Sequence, residues 1–173
     1  MILGRSEARC PDIGSRAEAV RATFFFPTLS VPVMLARRVG KGETPVLYAV
    51  LCYDREDVVG AWSQEQDDAV MVRLGAVQEK LAAEGRIGPV ARLLPTTAAT
   101  TIRKGDRPVI MDGPFAETRE QLLGFYIIDA DDLDGALAIA RDLAAASGSP
   151  GAFELRPLRM FHDWGTLREQ ASA

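Results

Sequence analysis

Residues 46–53, Val-Leu-Tyr-Ala-Val-Leu-Cys-Tyr, and residues 122–129, Leu-Leu-Gly-Phe-Tyr-Ile-Ile-Asp, decide the fold. Both runs are short, apolar and rich in β-branched and aromatic residues, which is typical of buried strands. An antiparallel sheet with one wet face alternates polar and apolar residues along each strand. These two runs are apolar on both parities, so the sequence predicts a sheet that is covered on both of its faces.

A helix is predicted after the first run. Ser63 and Gln66 have the spacing of a capping box, and Gly85 stands where a helix C-terminus favours a left-handed residue. Between them, apolar residues recur at helical spacing at positions 70, 74, 77 and 81. The charged cluster at residues 54–57 marks the end of the first strand.

The other elements follow from turn residues and apolar spacing. They are a strand at 87–94, a hairpin with arms at 98–103 and 108–111, a helix from Asp131 to Gly148, and a last strand at 153–160. The apolar face of the second helix is expected to carry Leu133, Leu137, Ala140 and Leu143.

The predicted class is α+β, with the order β-α-β-β-α-β and an inserted β-hairpin. Two crossover helices on one face of an antiparallel sheet make the ferredoxin-like arrangement. An uncovered second apolar face would be costly, at about 25 cal/mol per Å² of apolar surface, and would favour aggregation. A second copy of the same sheet is the expected cover, which would give a homodimeric α/β barrel whose interior is a natural ligand site.

The two ends of the chain differ from this central domain at 45–160. In residues 1–44, the four arginines Arg5, Arg9, Arg16 and Arg21 precede an apolar stretch at 22–36, which Pro27 and Pro32 interrupt. They are expected to be a disordered or loosely docked extension, or the product of a mis-assigned start, with translation beginning at Met34 or Val46. Residues 161–173 are expected to be a polar tail.

Composition limits the classes of function. The 173 residues carry a formal net charge of −4 with scattered basic residues, which predicts no direct binding to nucleic acid. The apolar run near the N-terminus is too short and broken to span a membrane. Cys10 and Cys52 lack metal-ligand spacing, and this usage fits a reducing, cytoplasmic location.

The stretch at 111–130, Met-Asp-Gly-Pro-Phe-Ala-Glu-Thr-Arg-Glu-Gln-Leu-Leu-Gly-Phe-Tyr-Ile-Ile-Asp-Ala, carries a family resemblance. It resembles the YCII-related family, in the branch named for the Asp-Gly-Pro-Phe (DGPF) tetrapeptide at 112–115. Residues 99–103 and 154–158 are similar to the strands on either side, so the resemblance covers about 46 to 160. Arg119 stands where lysine is commoner in the family, and Leu123 stands where glycine is frequent.

The resemblance implies a ferredoxin-like monomer, a dimeric α/β barrel and a polar cleft. It leaves three functions open. The first is binding of a small polar or anionic organic molecule. The second is an enzyme of isomerase, lyase or hydrolase type with a carboxylate base. The third is an accessory role in sigma-factor regulation, because genes of this branch often neighbour those for extracytoplasmic-function sigma factors.

Six polar residues are candidates for the site. Asp112 and Glu117 are candidate acid/base groups, and the candidate ligand-binding residues are Arg119, Tyr126, Glu154 and Arg156. If Phe153 and Leu155 face the helices, alternation places Glu154 and Arg156 on the barrel side. The same reasoning places Tyr126 there if Phe125 and Ile127 face the helices.

Each candidate also has a structural interpretation. Asp112 before Gly-Pro is a common turn-former, Glu154 and Arg156 can pair with each other, and residues 117–120 can be a solvated charge run. His162, with Asp163 beside it, is the only histidine and is expected to be a surface residue of the tail. The sequence therefore indicates no metal site and no cofactor.

Overall fold

The computed structural model describes residues 46–162, so the predictions for residues 1–44 and for Asp163 and the residues after it lie outside the described part of the chain. In chain order the elements are β1 (Val46–Asp54), α1 (Glu56–Val59), α2 (Gln64–Ala83), β2 (Ile87–Arg92), a 3-10 turn (Thr96–Ala98), β3 (Thr100–Arg103), β4 (Val109–Asp112), β5 (Gln121–Ala130), α3 (Leu133–Ser147) and β6 (Ala152–Pro157). The predicted strands and the two long helices are confirmed. The short α1 and the 3-10 turn were not predicted.

The main sheet has four strands in the order β2-β5-β1-β6, and every neighbouring pair is antiparallel. Two helical crossovers join β1 to β2 and β5 to β6, which is the ferredoxin-like α+β arrangement that the sequence predicted. β3 and β4 form a separate two-stranded sheet, and this is the inserted hairpin.

The core lies between the main sheet and the two long helices. Tyr48 and Val50 of β1 and Tyr126 and Ile128 of β5 are buried in one cluster with apolar residues of α2 and α3. Phe153 and Leu155 of β6 pack against the same cluster. We call the side of the sheet that bears these residues the helix-covered face, and the opposite side the second face.

The ends of the long helices follow their local sequence. Ser63 caps α2 with a reciprocal capping box to Gln66, and Gly85 follows the helix with a φ of 67°. Gly148 ends α3 in the left-handed region, where glycine avoids the steric cost of a Cβ. The cap of α3 is Asp132 rather than Asp131, because the Asp132 side chain accepts the hydrogen bond from the Gly135 amide at 2.8 Å.

The predicted apolar face of α3 was wrong in part. Leu133 is 53% exposed because it is the first helical residue and precedes the buried stripe. Leu137 is only half-buried. The stripe consists of Ala136, Ile139, Ala140, Leu143 and Ala146.

Among residues 46–162, none of the helices combines the length and the apolar character that crossing a bilayer requires.

Candidate functional site

A cleft of about 460 Å³ lies where β1 ends and β5 begins. Its lining residues are Arg55, Glu56, Asp57, Arg119 and Gln121. The first three follow β1 directly. Arg119 belongs to the loop between β4 and β5, residues 113–120, which we call the DGPF loop, and Gln121 is the first residue of β5. All five carry charged or amide side chains, so this is a polar site.

A β-bulge brings these two segments into register. Cys52 pairs with Gly124 but Tyr53 pairs with Leu122, so β5 contributes one extra residue at Leu123. Bulges bend a strand and re-aim its side chains, and they are frequent near functional sites. Here the bulge sets Gln121 opposite Asp54, at the edge of the cleft.

Arg55 and Asp57 neutralise each other at one side of the cleft. The Arg55 Nε donates to Asp57 Oδ1 at 3.0 Å, and a second guanidinium nitrogen donates to the other carboxylate oxygen. The hydrogen bonds and the charge of Asp57 raise the pKa of Arg55, and the hydrogen bonds from Arg55 lower the pKa of Asp57. This bidentate pair balances the two charges and uses two of the five N–H donors of Arg55.

Glu56 ties α1 to the segment before the hairpin. Its two carboxylate oxygens accept hydrogen bonds from the Thr96 backbone amide at 2.6 Å and from the Thr96 hydroxyl at 2.7 Å. Its own amide donates to Gln121 Oε1 at 3.2 Å, and Gln121 Nε2 donates to the Thr118 carbonyl. Gln121 therefore holds both α1 and the loop that carries Arg119.

Arg119 is the cleft residue whose positive charge is not neutralised by another side chain of the described part of the chain. Within residues 46–162 its guanidinium makes no hydrogen bond or ion pair, and the side chain is exposed. An arginine presents five N–H donors in a planar fork that matches a carboxylate. The cleft thus offers one available guanidinium beside an amide and a satisfied ion pair.

The structure separates the six predicted site residues. Arg119 lines the cleft, but the other five are absent from its lining. Asp112 is exposed at the end of β4, opposite Thr100 in the hairpin, and Glu117 is exposed on the DGPF loop. The structure therefore does not bring these residues together with Arg119 in this cleft.

Glu154 and Arg156 lie on the second face, as alternation predicted, because Phe153 and Leu155 occupy the helix-covered face. Their side chains form an ion pair with each other along β6, which raises the pKa of Arg156. This pairing is the structural interpretation that the sequence left open. The pair is opposite Leu51 and Ala49 of β1, away from the cleft.

Tyr126 is a correction. It faces the helices rather than the second face, is 7% exposed, and its ring centroid lies 6.4 Å from that of Phe153. Burial raises the pKa of its phenol to about 12. The prediction failed because β5 is apolar on both parities, so alternation alone did not identify which set of residues meets the helices.

Four of the cleft residues were missed: Arg55, Glu56, Asp57 and Gln121. Three of them belong to the charged cluster that the sequence showed only as the end of the first strand. The available signal was that a polar cluster directly follows a buried strand, at the edge of a sheet. Their meeting with Gln121 depends on the non-local pairing of β1 with β5.

His162 is exposed, as expected for a surface histidine. In the described part of the chain, no group of three His, Cys, Asp or Glu side chains is arranged to hold a metal ion.

Comparison with known proteins gives the family. The model of the YCII-related domain matches residues 46–162. The chain belongs to the YCII-related family. An uncharacterized protein of Rhizobium meliloti (strain 1021) is 57% identical to this YCII-related protein over 117 residues, which cover 67% of this chain and 94% of the relative.

Proposed function

We propose that this YCII-related protein binds a small organic anion in the cleft beside the DGPF loop, with Arg119 as the anion-binding residue. The observation that supports the proposal is the available guanidinium of Arg119, which lines a polar cleft where Arg55 is already paired with Asp57. The cleft is open and lined by charged and amide side chains, and its volume of about 460 Å³ can admit a small polar molecule.

A carboxylate suits this site better than a neutral ligand. Charge-assisted hydrogen bonds from arginine to a carboxylate are shorter and about twice as strong as neutral ones. Gln121 already uses its amide to hold Glu56 and Thr118. The Arg119 guanidinium therefore recognises the ligand, and the Gln121 amide positions the loop that carries Arg119.

The experiment is a titration calorimetry series with acetate, butyrate and hexanoate, run on the wild type and on Arg119→Met. Methionine keeps the length and apolar stem of the side chain but removes the charge. We expect affinity to fall by about tenfold or more in the variant, because a charge-assisted bidentate contact is lost. The matched control is Arg107→Met, which removes an equally exposed charge from the hairpin turn and should leave affinity unchanged. Equal binding by wild type and Arg119→Met would refute the proposal.

We further propose that the second face of the sheet pairs with a second copy, giving a cytoplasmic homodimer of DGPF type. Ala49, Leu51, Phe125 and Ile127 alternate with core residues and make this face apolar. Ala49 and Ile127 are buried in the single chain, whereas Leu51 and Phe125 are half-buried and are the residues that would present apolar surface to a second copy.

A further inference from the structure

The charges that line the cleft are balanced. Arg55 and Arg119 carry two positive charges, and Glu56 and Asp57 carry two negative charges. Arg55 and Asp57 cancel each other in a bidentate ion pair. One positive charge at Arg119 and one negative charge at Glu56 remain, each on a different segment of the cleft wall.

Glu56 has capacity for a further hydrogen bond. Its two oxygens each accept one hydrogen bond from Thr96, and a carboxylate oxygen has two lone pairs. Both donors on Thr96 are uncharged. No lysine or arginine within residues 46–162 forms an ion pair with Glu56. A ligand ammonium group would therefore supply the missing positive charge.

We propose that the ligand of this cleft is a zwitterion whose carboxylate binds Arg119 and whose ammonium group binds Glu56. This inference rests on the proposed function, because it assumes that Arg119 binds a carboxylate. A dianion suits the site poorly, since its second negative charge would meet Glu56, and the remaining lining cation, Arg55, is already neutralised by Asp57. A zwitterion instead satisfies both charges and leaves the site neutral.

The test compares pairs of probes that differ only in the ammonium group. Glycine, 4-aminobutyrate and 6-aminohexanoate are titrated beside acetate, butyrate and hexanoate, with succinate as the dianion, because the series samples the spacing between the two charges. We expect the best zwitterion to bind about three- to fivefold more tightly than its matched carboxylate, the gain of a solvent-screened ion pair. Succinate should bind more weakly than butyrate.

Glu56→Gln isolates the ammonium contact. The isosteric amide can still accept from the Thr96 amide and donate to its hydroxyl, so we expect the fold to persist, and a thermal melt checks this. In this variant the advantage of the zwitterion over its matched carboxylate should vanish, while butyrate should still bind at least as tightly as it binds the wild type, because a negative charge has left the cleft. The wild-type comparison decides the question even if the variant is unstable.

The outcomes separate the two proposals. If butyrate binding depends on Arg119 but no zwitterion exceeds its matched carboxylate, the zwitterion inference is overturned and the anion site stands. If no probe binds, or if Arg119→Met binds as well as the wild type, the anion site itself fails. A zwitterion advantage that persists in Glu56→Gln would assign the ammonium contact elsewhere and also overturn the inference.

Discussion

Two weakly acidic side chains on the helix-covered face, the partly buried Cys52 thiol and the buried Tyr126 phenol, are expected to make the stability of the protein sensitive to alkali. Burial raises the pKa of the Cys52 thiol from 9.0 to about 12, and burial raises that of the Tyr126 phenol from 10.0 to about 12. For the phenol, the nearby Cys52 adds to the rise and Arg92 opposes it. Both groups hold their protons more tightly in the folded state, so their contribution to stability is complete below the unfolded pKa values and is lost as pH rises through the folded ones.

The free energy of unfolding should therefore fall as pH rises from about 9 toward about 12. The measurement is urea unfolding at a series of pH values, on the wild type and on Cys52→Ala. The variant lacks one of the two protons, so its stability should decline less steeply above pH 9. Near neutral pH, the difference in the free energy of unfolding between the wild type and Cys52→Ala gives the separate cost of losing the sulfur atom. Parallel declines in the two proteins would show that Cys52 does not contribute.

At the residue level, sequence reasoning depended on whether a residue had a chemical reason of its own. Arg119 was predicted from its charge and its place in the DGPF segment, and it lines the cleft. Tyr126 was misplaced because its strand is apolar on both parities, and only packing against the helices selects the face. Arg55 and Gln121 line the same cleft because β1 pairs with β5 and because β5 has a bulge at Leu123. The local sequence around these two residues encodes neither feature.

At the scale of elements, two glycines give opposite predictions for the same substitution. A Cβ on Gly124 of β5 would lie 2.4 Å from the Ala91 carbonyl oxygen of β2, so the two paired strands would have to separate. A Cβ on Gly75 of α2 meets nothing within 4 Å. Gly124 is thus required by the close approach of backbone, whereas Gly75 only adds flexibility to a helix.

Gly124→Ala should destabilise the protein by about 3 kcal/mol, the scale of overpacking that backbone must absorb. Gly75→Ala should instead stabilise it by about 0.5 kcal/mol, because alanine has the higher helix propensity and restricts the unfolded chain. Urea midpoints followed by circular dichroism measure both changes. Two changes of the same sign would contradict the assigned backbone environments.

Elements whose ends carry capping residues were predictable from sequence. The capping box at Ser63 and the left-handed Gly148 mark real helix ends, and apolar periodicity identified the helices between such signals. The four-residue α1 and the three-residue 3-10 turn were missed because such short segments show no periodicity. These two segments are instead joined by tertiary hydrogen bonds, which the Thr96 amide and hydroxyl donate to the Glu56 carboxylate.

At the scale of the whole molecule, the two faces of the main sheet differ in what packs against them. The helix-covered face is packed by α2 and α3. The second face carries apolar residues at the same density along β1 and β5, bordered on β6 by the Glu154–Arg156 ion pair. Sequence predicted this double apolarity correctly, because it follows from composition along each strand. At the centre of this face Ala49 and Ile127 are 8% and 6% exposed within the single chain, whereas Leu51 and Phe125 are half-buried.

We expect the protein to be a dimer with twice the 18.7 kDa mass of the chain, and native mass spectrometry measures this directly. Leu51 is opposite Phe125 and Glu154 at the centre of the second face, so Leu51→Glu would place a charge inside the proposed interface and should yield monomers. The matched control is Val72→Glu, which adds the same charge to α2 at a residue that is 73% exposed. This control should remain dimeric. A wild-type monomer would refute the dimer. A buried unpaired carboxylate at the centre of an apolar face opposes association. A dimer that survives Leu51→Glu would therefore place the interface on another surface.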